Sequence, residues 1–185
     1  MTKILDRIET MIRENGSGLY GGEAVTQTQH ALQCAALAEK EDASAALVAA
    51  SLMHDIGHLL EPNFEAGLER GEDLYHEDLG EAFLETYFGE AVTQPVKLHV
   101  AAKRYLCATD DGYFSKLSPA SVHTLKLQGG PMSEDEVRQF ESNQFYKEAV
   151  QLRIWDDMAK DPKMETPDVG HFMSYVKESM NAESV

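Results

Sequence analysis

The sequence predicts an all-α domain spanning residues 1–185. Apolar residues recur with helical spacing along most of the chain, and alternating β-branched runs are few. Capping residues, glycines and prolines separate the helical segments. A chain of 185 residues can bury one substantial core, and it contains no internal repeat, low-complexity tract or linker. We therefore expect a single helical bundle.

The first half of the chain has well-marked helix boundaries. The first amphipathic segment stops at the glycine-containing run 15–18. Residues 42–44 supply caps for a very apolar helix that ends at Gly57. In chain order, we predict helices over about 2–14, 23–40, 44–57 and 75–88, with a loop or lid over 61–73 between the last two.

Prolines mark the helix starts in the second half. Pro95 is expected in the first turn of a helix, and Ser118-Pro119 combines a cap with a proline at the first helical position. A short helix that starts there stops at Gly129-Gly130. The predicted helices run from Pro95 to about Leu106, from Pro119 to Gly129, from Ser133 to Ser142, from Phe145 to Lys160, and onward from Pro167.

Composition excludes several classes of protein. Thirty-two acidic and sixteen basic residues give a formal charge of −16, which argues against nucleic acid as a partner. No apolar run approaches the ~20 residues of a membrane span, and the N-terminus lacks the layout of a secretory signal. Cys34 and Cys107 suggest no disulfide framework and are expected to be small buried packing residues. We expect a cytoplasmic protein with no membrane partner.

The dyad His54-Asp55 indicates a metal site. It lies near the end of the very apolar helix, where an imidazole and a carboxylate can share one metal while the carboxylate bridges to a second. Further candidate ligands are His30, His76, His99 and one of Asp156 and Asp157. Facing helices of a bundle can bring such residues together as a dinuclear site. Imidazole and carboxylate without thiolate suit iron, manganese or zinc.

A single histidine on a helix is more often a hydrogen-bonded core or surface residue than a metal ligand. His54, however, lies in a very apolar helix, where a buried imidazole needs a polar partner. His54 and His58 have the spacing of a zinc protease, yet Asp55 stands where that motif requires glutamate, which argues against a protease. Helical spacing does not choose between Asp156 and Asp157. His123 and His171 fit no cluster and are expected to face solvent or to support other residues.

Three further spacings concern possible ligand contacts. Glu23 is predicted two helical turns before His30 on the same face, and Lys103 follows His99 by one turn. Ser121, Thr124 and Gln128 share one helical face, because they are spaced three and seven residues apart.

The pattern of His30, His54-Asp55 and a late aspartate resembles the HD-domain superfamily over nearly the whole chain. Most members are metal-dependent phosphohydrolases. The additional His76 and His99 resemble its dinuclear subset, which contains both hydrolases and oxygenases. The resemblance implies an HD-domain helical bundle with a dinuclear metal site in its core.

Three segments resemble the HD-domain mixed-valent di-iron oxygenases, which cleave carbon–phosphorus bonds. They are the tyrosine–glutamate loop at 19–24, the segment 99–106 with its lysine, and the segment 117–131 with its Gln-Gly-Gly-Pro turn. In that family the late ligand is the aspartate directly after a tryptophan, so the resemblance selects Asp156, which follows Trp155.

The resemblance implies two iron ions in the Fe(II)/Fe(III) state that share Asp55. One would be held by His30, His54, Asp55 and Asp156, and the other by Asp55, His76 and His99. Tyr20 would occupy the open position of the second iron until substrate binds, and Glu23 would face a cationic nitrogen of the substrate. The implied phosphonate contacts are His58, Lys103, Ser121, Thr124 and Gln128. The implied catalytic residues are Tyr20, Asp55 and Lys103.

The implied reaction is oxygen-dependent cleavage of a 1-hydroxy-2-aminoethylphosphonate-type substrate, with a primary or trimethylated amine. Its products would be phosphate and glycine or glycine betaine. Physical chemistry supports the assignment of contacts, because a phosphonate dianion needs a cation and several hydrogen-bond donors. Two alternatives remain: a phosphohydrolase of a small phosphate ester or nucleotide, and a regulatory module that binds a phosphorylated molecule without turnover.

Overall fold

The computed structural model describes residues 3–60 and 75–182. Within these ranges the protein is helical, and its only β-type pairings are isolated bridges. The helices are α1 Lys3–Thr10, α2 Gln27–Lys40, α3 Ala45–Met53, α4 Ile56–Leu60, α5 His76–Leu84, α6 Glu90–Thr109, α7 Pro119–Leu127, α8 Glu134–Glu141, α9 Tyr146–Met158 and α10 Val169–Glu178. A π-helical turn, Met11–Asn15, continues α1, and Phe114–Lys116 is a 3-10 turn. The all-α prediction is confirmed.

Helix α3 lies at the centre of the core. It packs against α2, α6, α9 and α10, and every residue from Leu47 to Met53 is buried. A helix that is apolar on all sides is the kind that a core can surround. The candidate ligands at its end are therefore held inside the protein.

Helix α2 begins later than predicted. The Thr26 side chain accepts a hydrogen bond from the Gln29 backbone N–H, and the Gln29 side chain accepts one from the Thr26 N–H. This capping box satisfies the free N–H groups of the first turn. The helix therefore starts at Gln27, and Glu23 lies in the preceding loop rather than on the face of His30.

The predicted helix over 44–57 is interrupted. Helix α3 ends at Met53, α4 begins at Ile56, and the dyad occupies the turn between them. Gly57 in α4 packs directly on the start of α5, since a Cβ atom there would lie 2.0 Å from the carbonyl oxygen of His76. The turn thus faces a second helix that also carries a candidate ligand.

Other boundaries shift without moving the site. Helix α6 starts at Glu90, so Pro95 lies inside it rather than in its first turn, and residue 95 has no backbone N–H to donate. Cys34 is buried as predicted, whereas Cys107 is only partly buried, and both are free thiols. The predicted loop or lid over 61–73 lies outside the described residues. Over the described ranges, no helix has the length and apolarity required to cross a bilayer.

Candidate metal centre

Asp55 lies between two pairs of histidines. Its Oδ2 atom is 3.3 Å from His54 Nε2 and 3.6 Å from His30 Nε2. Its Oδ1 atom is 3.2 Å from His76 Nε2 and 3.4 Å from His99 Nε2. In each group of two histidines and Asp55, the ligand atoms lie within 4.8 Å of one another. The carboxylate therefore offers one oxygen to each pair, as a bridging ligand does.

Backbone contacts orient three of these imidazoles. The Nδ1 atoms of His30, His54 and His99 donate hydrogen bonds to the carbonyl oxygens of Ala159 at 2.8 Å, Ser51 at 2.9 Å and Val96 at 2.6 Å, respectively. A carbonyl only accepts, so the Nδ1 atom carries the proton and Nε2 presents a lone pair in the neutral ring. His76 places its Nδ1 atom 3.3 Å from the Glu77 carboxylate, which has the same effect.

The Nε2 atoms are too close for such lone pairs unless a cation lies between them. They are 3.1 Å apart in the pair His30–His54 and 3.0 Å apart in His76–His99. Of the described residues, none donates a well-aligned hydrogen bond to either oxygen of Asp55, although both oxygens are buried. Buried acceptors that converge in this way fit metal ions. The donor set of nitrogen and oxygen fits iron, manganese or zinc.

Asp156 completes the first group. Its Oδ1 atom is 3.3 Å from His30 Nε2, and its Oδ2 atom accepts from Arg153 Nη1 at 2.8 Å. Asp157 points elsewhere: its carboxylate pairs with the Arg153 guanidinium and the Tyr113 hydroxyl. Helical spacing left the choice between the two aspartates open, and the geometry favours Asp156 as the candidate ligand because only its carboxylate faces the histidines.

The pKa shifts of these residues indicate that the ionised Asp55 carboxylate is stabilised by positive charge. Although burial opposes it, the imidazoles of His54 and His58 hold the pKa of Asp55 well below its usual value. Burial also disfavours a charged His54, yet Asp55 raises the pKa of that imidazole well above its ordinary value. Burial, followed by repulsion from His58, lowers the pKa of His76 to about 3, which leaves its lone pair free to bind a metal.

Tyr20 stands over the first histidine. Its ring stacks on that of His30, with centroids 3.9 Å apart and planes at 12°, and meets His58 edge-on at 6.3 Å. Burial, followed by the charge of Asp55, raises the pKa of the Tyr20 phenol well above its ordinary value. The loop turns back through Gly21 and Gly22, whose positive φ angles of 49° and 83° suit glycine.

A cavity of about 500 Å³ opens onto this centre. Three predicted metal ligands line it, namely His76, His99 and Asp156, together with Tyr20. The six predicted substrate contacts also line it: Glu23, His58, Lys103, Ser121, Thr124 and Gln128. His30 and His54, by contrast, are both 0 % exposed. The structure thus places the predicted substrate contacts and three of the predicted metal ligands around one cavity, while His30, His54 and Asp55 lie behind its wall.

Polar side chains that include three cations form one wall of the cavity. Lys103 is 2 % exposed, and its Nζ atom donates to Thr124 Oγ1 at 2.8 Å. Ser121 Oγ accepts from Lys160 Nζ at 3.1 Å and lies 3.5 Å from Arg153 Nη2. Burial, followed by repulsion from Arg153, lowers the pKa of Lys103 to about 7. We call Lys103, Ser121, Thr124, Arg153 and Lys160 together the anion wall.

Two members of the anion wall, Arg153 and Lys160, were not predicted. Arg153 lies one helical turn before Asp156 in α9, and Lys160 follows Asp156 by four residues, just beyond the end of that helix. On the helix predicted to reach Lys160, this spacing could have identified both. His123 is exposed but lines the cavity, whereas His171 faces solvent and pairs with Glu39.

Known proteins match this chain over most of its length. The HD domain family matches residues 28–159. The [1-hydroxy-2-(trimethylamino)ethyl]phosphonate dioxygenase (glycine-betaine-forming) of Leisingera caerulea is 42% identical, over 94% of this chain and 89% of its own. The hydroxymethylphosphonate dioxygenase of Gimesia maris is 43% identical, over 90% of this chain and 83% of its own.

Proposed function

This chain belongs to the HD-domain family and to its group of phosphonate dioxygenases, and from this premise we propose that it cleaves the carbon–phosphorus bond of a 1-hydroxyphosphonate with dioxygen. The C–P bond and the C–H bond of the carbinol carbon break. One oxygen atom joins that carbon and the other joins phosphorus. A carboxylate, phosphate and one proton are formed, and no external reductant is consumed. The substrate is of the 1-hydroxy-2-aminoethylphosphonate type, with a primary or trimethylated amine, and the product is glycine or glycine betaine.

The observation that carries this proposal is the anion wall beside the Asp55 centre. The whole chain has a formal charge of −16, yet Lys103, Arg153 and Lys160 converge on two hydroxyl groups in one cavity. Arg153 already pairs with Asp156 and Asp157, and Lys160 lies beside Glu23, but no described carboxylate forms an ion pair with Lys103. Three cationic side chains along one cavity favour an anionic ligand. A phosphonate dianion has the charge and the acceptor oxygens to match these donors.

Two iron ions in the Fe(II)/Fe(III) state are the metals we propose. The first would be held by His30, His54, Asp55 and Asp156, and the second by Asp55, His76 and His99. When bound, the pair would supply the Lewis acidity and the redox chemistry that dioxygen requires. The protein would keep the imidazole tautomers fixed through backbone carbonyls and would hold Asp55 ionised between the two sites.

The chain's own residues orient the substrate. Lys103, His58, Ser121, Thr124 and Gln128 would bind the phosphonate end. Gln128 would donate from its amide N–H to the phosphonate, while its buried Oε1 atom, to which no described residue donates a hydrogen bond, can accept one from the hydroxyl group of the substrate. At the other end, the Glu23 carboxylate would face the ammonium group. Tyr20, stacked on His30, would withdraw when substrate enters.

The experiment is phosphate release from a 1-hydroxyphosphonate with and without oxygen, using protein of measured iron content. We expect release only with oxygen, with one oxygen consumed per phosphate, and an electron paramagnetic resonance signal from the mixed-valent pair. Oxygen-independent release of phosphate from a small phosphate ester or a nucleotide, with none from the phosphonate, would indicate the phosphohydrolase alternative. Tight binding of the substrate without release in either condition would indicate a regulatory module.

A further inference from the structure

One cation of the anion wall also touches the amine end of the cavity. Lys160 Nζ donates to Ser121 Oγ at 3.1 Å and lies 3.6 Å from Glu23 Oε1. Both charged side chains are well covered, with 12 % of Lys160 and 17 % of Glu23 exposed. The ammonium group of Lys160 thus lies close to both Ser121 and Glu23. The Glu23 carboxylate, which would face the ammonium group of a substrate, therefore already has a cation of the protein beside it.

The contact between them is incomplete. Glu23 Oε1 is buried, and of the described residues none donates a hydrogen bond to it. The 3.6 Å separation from Lys160 is within the range of an ion pair but longer than a hydrogen bond. A buried carboxylate oxygen with spare acceptor capacity can take an N–H donor from a ligand. Two cations, one from the protein and one from the substrate, would therefore compete for Glu23.

We propose that Lys160 is a specificity-determining residue that sets the preference between 1-hydroxyphosphonates with and without an ammonium group. This inference rests on the proposed function. When the substrate has no ammonium, Lys160 neutralises Glu23 and prevents it from repelling the phosphonate dianion. When the substrate carries an ammonium, that group takes the place of Lys160 beside Glu23, and Lys160 stays with Ser121 and the phosphonate.

The two substrate classes should therefore respond differently to loss of Lys160. In Lys160→Met, the phosphonate loses one attractive charge in both cases. Only the substrate without an ammonium also meets an uncompensated Glu23 carboxylate. A primary ammonium can donate an N–H to Glu23 Oε1 and a trimethylammonium cannot, so the primary amine should gain the larger relative advantage.

The test measures kcat/KM for hydroxymethylphosphonate and for 2-amino-1-hydroxyethylphosphonate in the iron-loaded protein. In Lys160→Met we expect kcat/KM to fall about 100-fold for the first substrate and about tenfold for the second. In Glu23→Gln/Lys160→Met, kcat/KM for hydroxymethylphosphonate should be at least about fivefold higher than in Lys160→Met, because the repelling carboxylate is gone.

Two control variants accompany these measurements. Lys160→Arg should keep the wild-type preference. Lys163→Met is the matched control, since Lys163 is exposed and does not line the cavity, and it should change nothing.

Dissociation constants measured by calorimetry without oxygen test the pair independently of turnover, and they should shift in the same direction. An unchanged preference in folded Lys160→Met, or no recovery in the double variant, overturns the proposal. If Lys160→Met does not fold, Lys160→Gln takes its place because it also removes the charge: its preference must shift toward 2-amino-1-hydroxyethylphosphonate, and an unchanged preference overturns the proposal. A wild-type protein that binds both phosphonates but releases phosphate from neither contradicts the proposed function, while the binding preference still tests Lys160.

Discussion

The two histidine pairs beside Asp55 lie in different surroundings. His30, on helix α2, and His54, in the turn directly after α3, are fully buried, and these two helices pack against each other and against α9. His76 and His99, on α5 and α6, line the cavity. The same bridging carboxylate thus joins a pair inside the core to a pair at a surface that a ligand can reach.

This difference in surroundings indicates that the two histidine pairs have different roles besides metal binding. The buried pair fills space between core helices, so its side chains contribute to folding as well as to metal binding. His76 and His99 are also largely buried, at 8 % and 2 % exposed, but they border the cavity and therefore determine what can approach the metals. Substitutions in the two pairs should therefore give distinct combinations of lost activity and lost stability.

The largest effect is expected for His99→Ala. Loss of this imidazole should remove about one metal ion per chain and reduce oxygen-dependent phosphate release at least about a thousandfold, or about 4 kcal/mol of activation free energy. The fold should persist. The matched variant His54→Ala should lose activity and also at least about 2 kcal/mol of unfolding free energy, because it leaves a void in the core, whereas the space vacated by His99 joins the cavity. Metal analysis, turnover and denaturant unfolding provide the readouts. Turnover of His99→Ala within about tenfold of wild type would refute the assignment.

A smaller effect is expected for Gly57→Ala. Its Cβ atom would lie 2.0 Å from the His76 carbonyl oxygen, so the start of α5 must move away. We expect a loss of about 1–3 kcal/mol of stability and weaker metal binding at the cavity pair, with the buried pair still loaded. Gly18→Ala is the control, because nothing lies within 4 Å of its Cβ position. Equal metal loss from both pairs would show that they do not respond separately.

The smallest effect concerns pH on the cavity side. Burial, followed by repulsion from Arg153, lowers the pKa of Lys103 to about 7, and only its ammonium form attracts a phosphonate. Above pH 7 the charged fraction falls, so kcat/KM should decrease about tenfold per pH unit. An arginine stays charged throughout this range. In Lys103→Arg the decrease should therefore be absent up to pH ~9. A profile from pH 6 to 9 measures this, and an identical alkaline decrease in both proteins would assign it to another group.

Much of the centre could be predicted because each ligand carries a local signal. A histidine followed by an aspartate at the end of an apolar helix has few structural alternatives, and this pattern leads to His54 and Asp55. Helix caps at Ser44, Ser118 and Ser133 are also local, since a side chain bonds to a backbone N–H three residues away. Such features depend on neighbours in the sequence, so the sequence alone predicts them.

The errors have physical reasons too. Glu23 was assigned to a helix because its spacing from His30 fits one, but the capping box at Thr26 starts the helix later and leaves Glu23 in the loop. Arg153 and Lys160 were missed because a single basic residue on a helix is usually exposed. Their role depends on Ser121, which comes from a distant part of the chain. The cavity wall is a property of tertiary packing, which helical spacing only partly encodes.

The three imidazoles held by backbone carbonyls have a consequence for how this protein can diverge. A carbonyl oxygen is present whatever side chain a residue carries, so mutation at Ala159, Ser51 or Val96 need not disturb the ring orientation. Residues around the cavity can then be exchanged over evolutionary time while the centre stays intact. An ancestral oxygenase with this architecture could accept new phosphonate substrates through substitutions in the cavity lining alone.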